Sequence, residues 1–453
     1  MSQLVIRGRR VLTPSGLGEA ALHIDDGRIS DVTAFDVIGT PSRLVEAGDL
    51  LVTPGIVDSH VHINEPGRTE WEGFATATEA AAAGGITTVV DMPLNCIPAT
   101  TSRRAAEVKL ETLRDQTHVD VAFWGGVVPG NVSDLAALAA FGVPGCKCFL
   151  CPSGVDEFPH VGRADLELAL PVLRDLGLTL LVHAEAPGPL EAAEQTIAST
   201  GADPRRYATY LRSRPNAAED EAVAMVIELA EKHRAPAHIV HLSSASALPS
   251  IRAAQARGVP ITAETCLHYL AFSAEDIPDG DTFYKCAPPI REAANRDALW
   301  QGLGSGISQV VSDHSPCTPA LKRSDTGDFM SAWGGIAGLQ LGLSVLWTEA
   351  HKRGFGLAQM YEWNAAAPAK LAGLAHRKGQ LAKGYDADIV VWDDRASFVV
   401  APDGIRHRHK ATPYAGRTLF GVVEETWVGG KRAFSREHGL ASRPVGSFVS
   451  ASR

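Results

Sequence analysis

The chain has 453 residues and a formal net charge of −10, with 45% hydrophobic and 21% charged residues. An acidic balance with no sustained basic run excludes the electrostatic footprint of a nucleic-acid binder, and no apolar stretch reaches the ~18 residues of a membrane-spanning helix. An odd count of 7 cysteines in a long chain excludes a secreted disulfide framework. The opening Met1-Ser2-Gln3-Leu4-Val5-Ile6-Arg7 carries no secretory hydrophobic region, so the expectation is a reduced, cytoplasmic protein. One barrel fills roughly 250 residues, so the length calls for a barrel and a smaller second domain.

Residues 1–50 hold short alternating runs such as Leu4-Val5-Ile6 and Ala21-Leu22-His23-Ile24, broken by Gly and Asp. Period-two alternation predicts antiparallel sheet with one covered face. From residue 51 the pattern changes. Continuous apolar runs occupy 51–61, 86–92, 119–128, 146–150, 178–183, 237–242, 259–265 and 307–313. Between most of them lie segments with helical spacing, among them 71–83, 166–176, 217–233 and 245–257. Unbroken apolar strands alternating with amphipathic helices predict buried parallel strands with crossover helices. Eight units predict an α/β (β/α)8 TIM barrel over 51–379, and a doubly wound open sheet is the alternative. Residues 380–432 alternate again, as in Ala387-Asp388-Ile389-Val390-Val391-Trp392. The two chain ends are expected to form one small β-sandwich domain, 1–50 plus 380–432. Residues 433–453, rich in Arg, Ser, Gly and Pro, are expected to form a C-terminal arm.

The chemistry sits where the apolar runs end. The first closes on His60-Val61-His62, and residues two apart in a strand share a face. Two histidines there need partners, as ligands or as satisfied core residues. The fourth contains Lys147 between Cys146 and Cys148, an ammonium that is costly inside an apolar strand unless neutralised or led to solvent along its stem. The fifth, sixth and eighth runs end at His183, His241 and Asp313. Each residue alone has a bland reading. A barrel gathers the carboxyl ends of its strands at one mouth, so together they predict a metal centre of His60, His62, Lys147, His183, His241 and Asp313. Imidazole and carboxylate donors suit Zn²⁺, with Mn²⁺, Fe²⁺ or Co²⁺ as alternatives. A neutral lysine amine could capture CO2 as a carbamate and bridge two divalent metal ions. Cys146, Cys148 and Cys151 form a C-x-C-x-x-C cluster that reads as a structural metal site or as packing residues.

This set resembles the amidohydrolase superfamily, with His-x-His on the first strand, a carboxylated Lys on the fourth, His on the fifth and sixth and Asp on the eighth. Within it the chain resembles the cyclic amidohydrolases, which include dihydroorotase, dihydropyrimidinase (hydantoinase) and allantoinase. Its Ser312-Asp313-His314-Ser315-Pro316-Cys317, Ala332-Trp333-Gly334-Gly335-Ile336-Ala337-Gly338, Met92-Pro93-Leu94-Asn95 and Cys286-Ala287-Pro288-Pro289-Ile290-Arg291 are similar to the allantoinase branch. Asn64 stands where dihydroorotases carry a carboxylate-gripping Arg, and Phe149-Leu150-Cys151-Pro152-Ser153 lacks the Tyr of dihydropyrimidinases. Ala287 departs from the Ser more common in relatives.

The resemblance implies a hydrolase that opens the hydantoin ring of allantoin in purine catabolism, with Asp313 as general base and then acid. It also implies a small-molecule cyclic ureide as partner, substrate contacts from Asn95, Ala287 and Gly334, and a homo-oligomer, a tetramer in most relatives. Asn95 reads equally as a turn residue, and His268 as a support to the centre or a structural residue. The alternatives are a hydantoinase acting on another cyclic amide and a non-catalytic scaffold homologue.

Overall fold

The computed structural model describes residues 3–451. Four strands open the chain: β1 (Leu4–Thr13), β2 (Gly16–Asp25), β3 (Arg28–Thr33) and β4 (Arg43–Pro54). Then come β5 (Ile56–Val61), β6 (Ile86–Asp91), β7 (Asp120–Phe123), β8 (Gly125–Gly126), β9 (Gly145–Phe149), β10 (Thr179–His183), β11 (Ala237–Ile239), β12 (Ile261–Cys266) and β13 (Gln309–Val311). Every neighbouring pair among these is parallel. β7 and β8 form one run interrupted at Trp124, whose indole N–H donates to the Ser59 carbonyl at 2.8 Å. Val61 bridges His314, and the Ser312 N–H donates to both Asp58 oxygens at 3.3 Å, so the last strand returns to the first. The result is a closed (β/α)8 barrel. Residues of β5, β6, β7 and β9 are buried throughout, because side chains fill the interior and helices cover the outside.

The chain ends on β14 (Ile389–Val399), β15 (Thr418–Val428), β16 (Lys431–Ser435) and β17 (Gly439–Leu440). These join the opening strands in one sheet of order β17-β16-β15-β14-β4-β1-β2-β3. The sheet folds over a shared apolar cluster, with Ile6, Leu22 and Ile24 from one half and Ile389, Val391 and Trp427 from the other. The two halves meet where residues 51–54 of β4 pair antiparallel with residues 389–392 of β14.

The sheet continues through residue 440, beyond the start assigned to the arm, because Ala433 and Phe434 are buried against the main core. The rest of the tail crosses to the third barrel strand. Phe448 bridges Val121 and packs on Phe123 at 5.0 Å, and the Ser447 N–H donates to Asp120 at 2.9 Å. Among the described residues no helix is long and apolar enough to cross a membrane.

One buried cation ties these parts together. The Lys378 ammonium lies 2.5 Å from Asp120, 2.6 Å from Asp388 and 3.0 Å from Asp386, with its side chain fully buried. Burial opposes the charge, but the three carboxylates prevail and raise its pKa above the ordinary lysine value. Removing the cation leaves the carboxylates facing one another. Lys378→Met should therefore cost about 3–5 kcal/mol, seen as a thermal midpoint lowered by roughly 5 °C or more. An unchanged midpoint would show that the cluster does not clamp the two domains.

Candidate metal centre

The barrel geometry decides which side chains meet. His60 lies in β5 and His62 one residue past its end, and their ring centroids are 5.5 Å apart. Lys147 sits mid-way along β9, in register with Leu181 of β10, which ends at His183. β11 and β13 stop two residues short of His241 and Asp313. Both residues have left-handed backbones, with φ of 39° and 43°. Non-glycine residues rarely adopt that region, and where they do the surroundings hold them there, often at functional sites.

The side chains form two adjoining groups. Asp313 Oδ1 lies 3.3 Å from His60 Nε2 and 3.4 Å from His62 Nε2. His183 Nδ1 lies 3.0 Å from His241 Nε2, and the rings of His60 and His241 are 5.4 Å apart. The Lys147 ammonium is fully buried with no hydrogen-bond partner, and its nearest aromatic neighbour is the Phe149 ring at 5.2 Å. His60 Nε2 approaches Asp313 without hydrogen-bond geometry and is also unpartnered. Buried polar atoms left unpaired cost about 1–3 kcal/mol each. Their convergence, and the chemistry of the donors, fit a pair of divalent cations.

A second ring of groups fixes the histidines. Glu264 accepts from His60 Nδ1 at 2.5 Å and also holds His238 and Gln309 at 3.0 and 2.9 Å. Glu185 bonds His183 Nε2 at 2.7 Å and accepts from Arg214 Nε at 2.9 Å. Such outer carboxylates set ring orientation and tautomer. Burial works against the charge on Glu264, Glu185 and Asp313. Their cationic and imidazole neighbours more than offset it, and all three lie well below the usual carboxylate range. Burial brings Lys147 down to about 8, with Asp313 and Glu264 pulling the other way.

The six residues therefore lie together at the mouth of the barrel, above a cavity of about 270 Å³. Asn95, Ala287 and Gly334 all line that cavity. Asn95 has φ 67°, so it serves as a left-handed turn residue as well.

The amidohydrolase family matches residues 51–433. The chain belongs to the amidohydrolase family. It is 48% identical to the allantoinase of Streptomyces avermitilis over 99% of this chain and 98% of that one. It is 45% identical to the allantoinase of Saccharomyces cerevisiae, over 94% of this chain and 90% of the other. Among solved structures, the L-hydantoinase (dihydropyrimidinase) from Arthrobacter aurescens superposes with a TM-score of 0.95 at 29% identity, covering 99% of this chain and all of the other.

For this amidohydrolase, sequence reading named the inner residues and gave no role to the groups behind them. Glu264 carried a signal, a carboxylate inside a continuous apolar run, and Glu185 stood two residues after His183 on a strand end. Arg214 and Lys285 also line the cavity and carried none. His268 is buried with both ring nitrogens unpartnered and lies outside the cavity lining. Cys146, Cys148 and Cys151 are buried and form no disulfide, and burial pushes the thiols of Cys148 and Cys151 up to about 12, which suits packing residues.

Burial lowers His62 and His268 to about 4 and His407 to about 3, and it lowers His183 and His241 too. An unfolded histidine titrates near 6.5, so between that pH and about 4 the unfolded chain binds more protons than the fold. Stability is then fully present above about pH 6.5 and is lost as pH falls, by about 1.4 kcal/mol per pH unit for each proton. The thermal midpoint of metal-free protein should drop steadily from pH 7 to pH 4.5. A flat profile would contradict the burial of neutral imidazoles.

Proposed function

We propose that this chain hydrolyses the hydantoin ring of allantoin to allantoate, a step of purine catabolism. The observation that carries the reading is 40–49% identity to six allantoinases and probable allantoinases across 82–99% of this chain. As an amidohydrolase the protein is a hydrolase of carbon–nitrogen bonds in cyclic amides. The hydantoinases among the solved structures match at only 24–29% identity, which disfavours the alternative substrates. Retention of every ligand type disfavours a scaffold role.

In this reading His60, His62 and Asp313 would hold one divalent cation, His183 and His241 would hold the second, and Lys147, as a carbamate, would contribute to both. Zn²⁺ is the metal proposed. The amine of Lys147, held near 8 by burial, attacks CO2 and releases one proton, forming the carbamate N–C bond. When bound, divalent cations would supply an acidified water and polarise a carbonyl oxygen. Asp313 stays ionised beside His60 and His62, so it can accept the proton of the attacking water. It returns that proton to the ring nitrogen as the C–N bond breaks, serving as base and then acid. Asn95 offers amide donors and an acceptor to the ureide, while Ala287 and Gly334 offer main-chain groups. Asn64, in place of a guanidinium, offers no bidentate grip for a ring carboxylate at that position.

Seven buried cysteines outside any disulfide support a reducing compartment, read here as the cytoplasm. A homotetramer is carried over from the family resemblance.

Protein purified with Zn²⁺ and bicarbonate should convert allantoin to allantoate with little action on dihydrouracil, hydantoin or dihydroorotate. A preference for one of those rings would overturn the substrate and leave the metal centre standing. Asp313→Asn should keep most of its metal by elemental analysis and lose about 10²–10⁴-fold in turnover. Near-normal activity in that variant would refute its role as base.

A further inference from the structure

The cavity wall opposite the metal centre is built from residues 330–335, which lie outside any helix or strand. Two lysines bond this segment, Lys285 from the cavity lining and Lys322 from outside it. Lys285 is 8% exposed and Lys322 5% exposed. Among the described residues neither ammonium has a carboxylate within ion-pair distance, and their hydrogen bonds all go to main-chain carbonyls. Lys285 Nζ donates to Met330 at 3.1 Å and Ala332 at 2.5 Å. Lys322 Nζ donates to Gly335, to Trp333 at 3.2 Å and to Lys285 at 3.4 Å. The Lys285 ammonium also faces the Tyr210 ring at 5.0 Å.

Two like charges sharing a buried site without counter-ions is a costly arrangement. Burial lowers both lysines, and the Lys322 charge adds to burial at Lys285, which falls to about 7. A merely structural segment could be held by apolar packing at less cost. What the ammoniums supply is a fixed direction for four successive or near-successive carbonyls. Gly334 is the residue in the run 332–335 whose carbonyl no ammonium takes, and Gly334 lines the cavity beside Ala287.

The main chain locks into the same knot. The Gly335 N–H donates to the Lys285 carbonyl at 2.8 Å, and the Trp333 N–H to Leu321 at 2.8 Å. Gly335 has φ 127°, and a Cβ there would stand 2.2 Å from the carbonyl oxygen of Ser315, two residues beyond Asp313. The segment therefore joins three parts of the site: the strand-end carboxylate, the Ala287 wall and the Gly334 wall.

We propose that Lys285 and Lys322 are positioning residues that hold the peptides of 330–335, and with them the Gly334 and Ala287 walls, in the conformation that receives the substrate ring. The inference rests on the reading that the ring binds in this cavity.

Lys322→Ala, loaded with metal, is the test. KM for allantoin should rise roughly 10–100-fold while kcat changes far less, because binding contacts are displaced and the reacting groups are not. Metal content should match the parent. n-Propylammonium should restore KM, by placing an ammonium in the vacated channel, and sodium at equal ionic strength should not. Hydrogen exchange at the Trp333 and Gly335 amides should accelerate and return with n-propylammonium, while exchange in β10 stays unchanged. Unaltered KM and exchange, loss of metal with kcat, or equal acceleration throughout the barrel would each overturn the proposal. Should Lys322→Ala fail to fold, Lys322→Gln carries the same readouts. If the parent enzyme turns over none of the rings, the functional reading fails, and the exchange data alone still decide whether the lysines hold the wall.

Discussion

Lys147 lies at the centre of β9 with its ammonium fully buried and unpartnered, and the rest of the mouth is arranged around that charge. Burial lowers it into a range where the neutral amine is accessible near physiological pH. The neighbouring imidazoles are driven toward their neutral form by the same desolvation, which is the form that binds a metal. Asp313, Glu264 and Glu185 keep their negative charge only because His60, His62, His238 and Arg214 stand against them. A polar cluster this deep is stable only when nearly every member has a partner. Unpartnered atoms of His60, His62, Lys147 and His241 remain where a pair of cations would complete the set.

The inner residues were legible because barrel topology turns sequence position into place. A His, Lys or Asp at the carboxyl end of a buried strand has one destination, the mouth. The outer shell was not legible, because Glu264 meets His60 across 204 residues and Arg214 meets Glu185 from a helix–loop junction, contacts no local pattern encodes. The strand ends were misjudged at β11 and β13, where left-handed residues cut the strands short. The tail looked like an arm by composition, since its few anchors, Phe434, Phe448 and Val449, are scattered among Arg, Ser and Gly. Lys285 and Lys322 carried no sequence signal, because burial against carbonyls leaves no mark in sequence.

Fold and substrate are carried by different parts of the molecule. The chain superposes closely on an L-hydantoinase at under a third identity, so the scaffold persists while most of the sequence differs. Loops wall the cavity. Here those are the Asn95 turn, the Ala287 segment and the Gly334 segment, and the last is held by hydrogen bonds from Lys285 and Lys322 to its carbonyls.

The two-ended sheet also imposes an order on synthesis. β4 pairs on its inner side with β1, its near neighbour in the chain, but Val52 on its other side waits for Val391 of β14. At about 5–20 residues per second, that edge stays open on the ribosome for roughly 20–70 s while the whole barrel emerges. An open edge is a template for wrong pairing. This one is narrow, spans residues 51–54 and stops at Pro54, which cannot donate to a further ladder bond. The nascent chain thus carries its own guard against mispairing until its final fifth arrives to close the sheet.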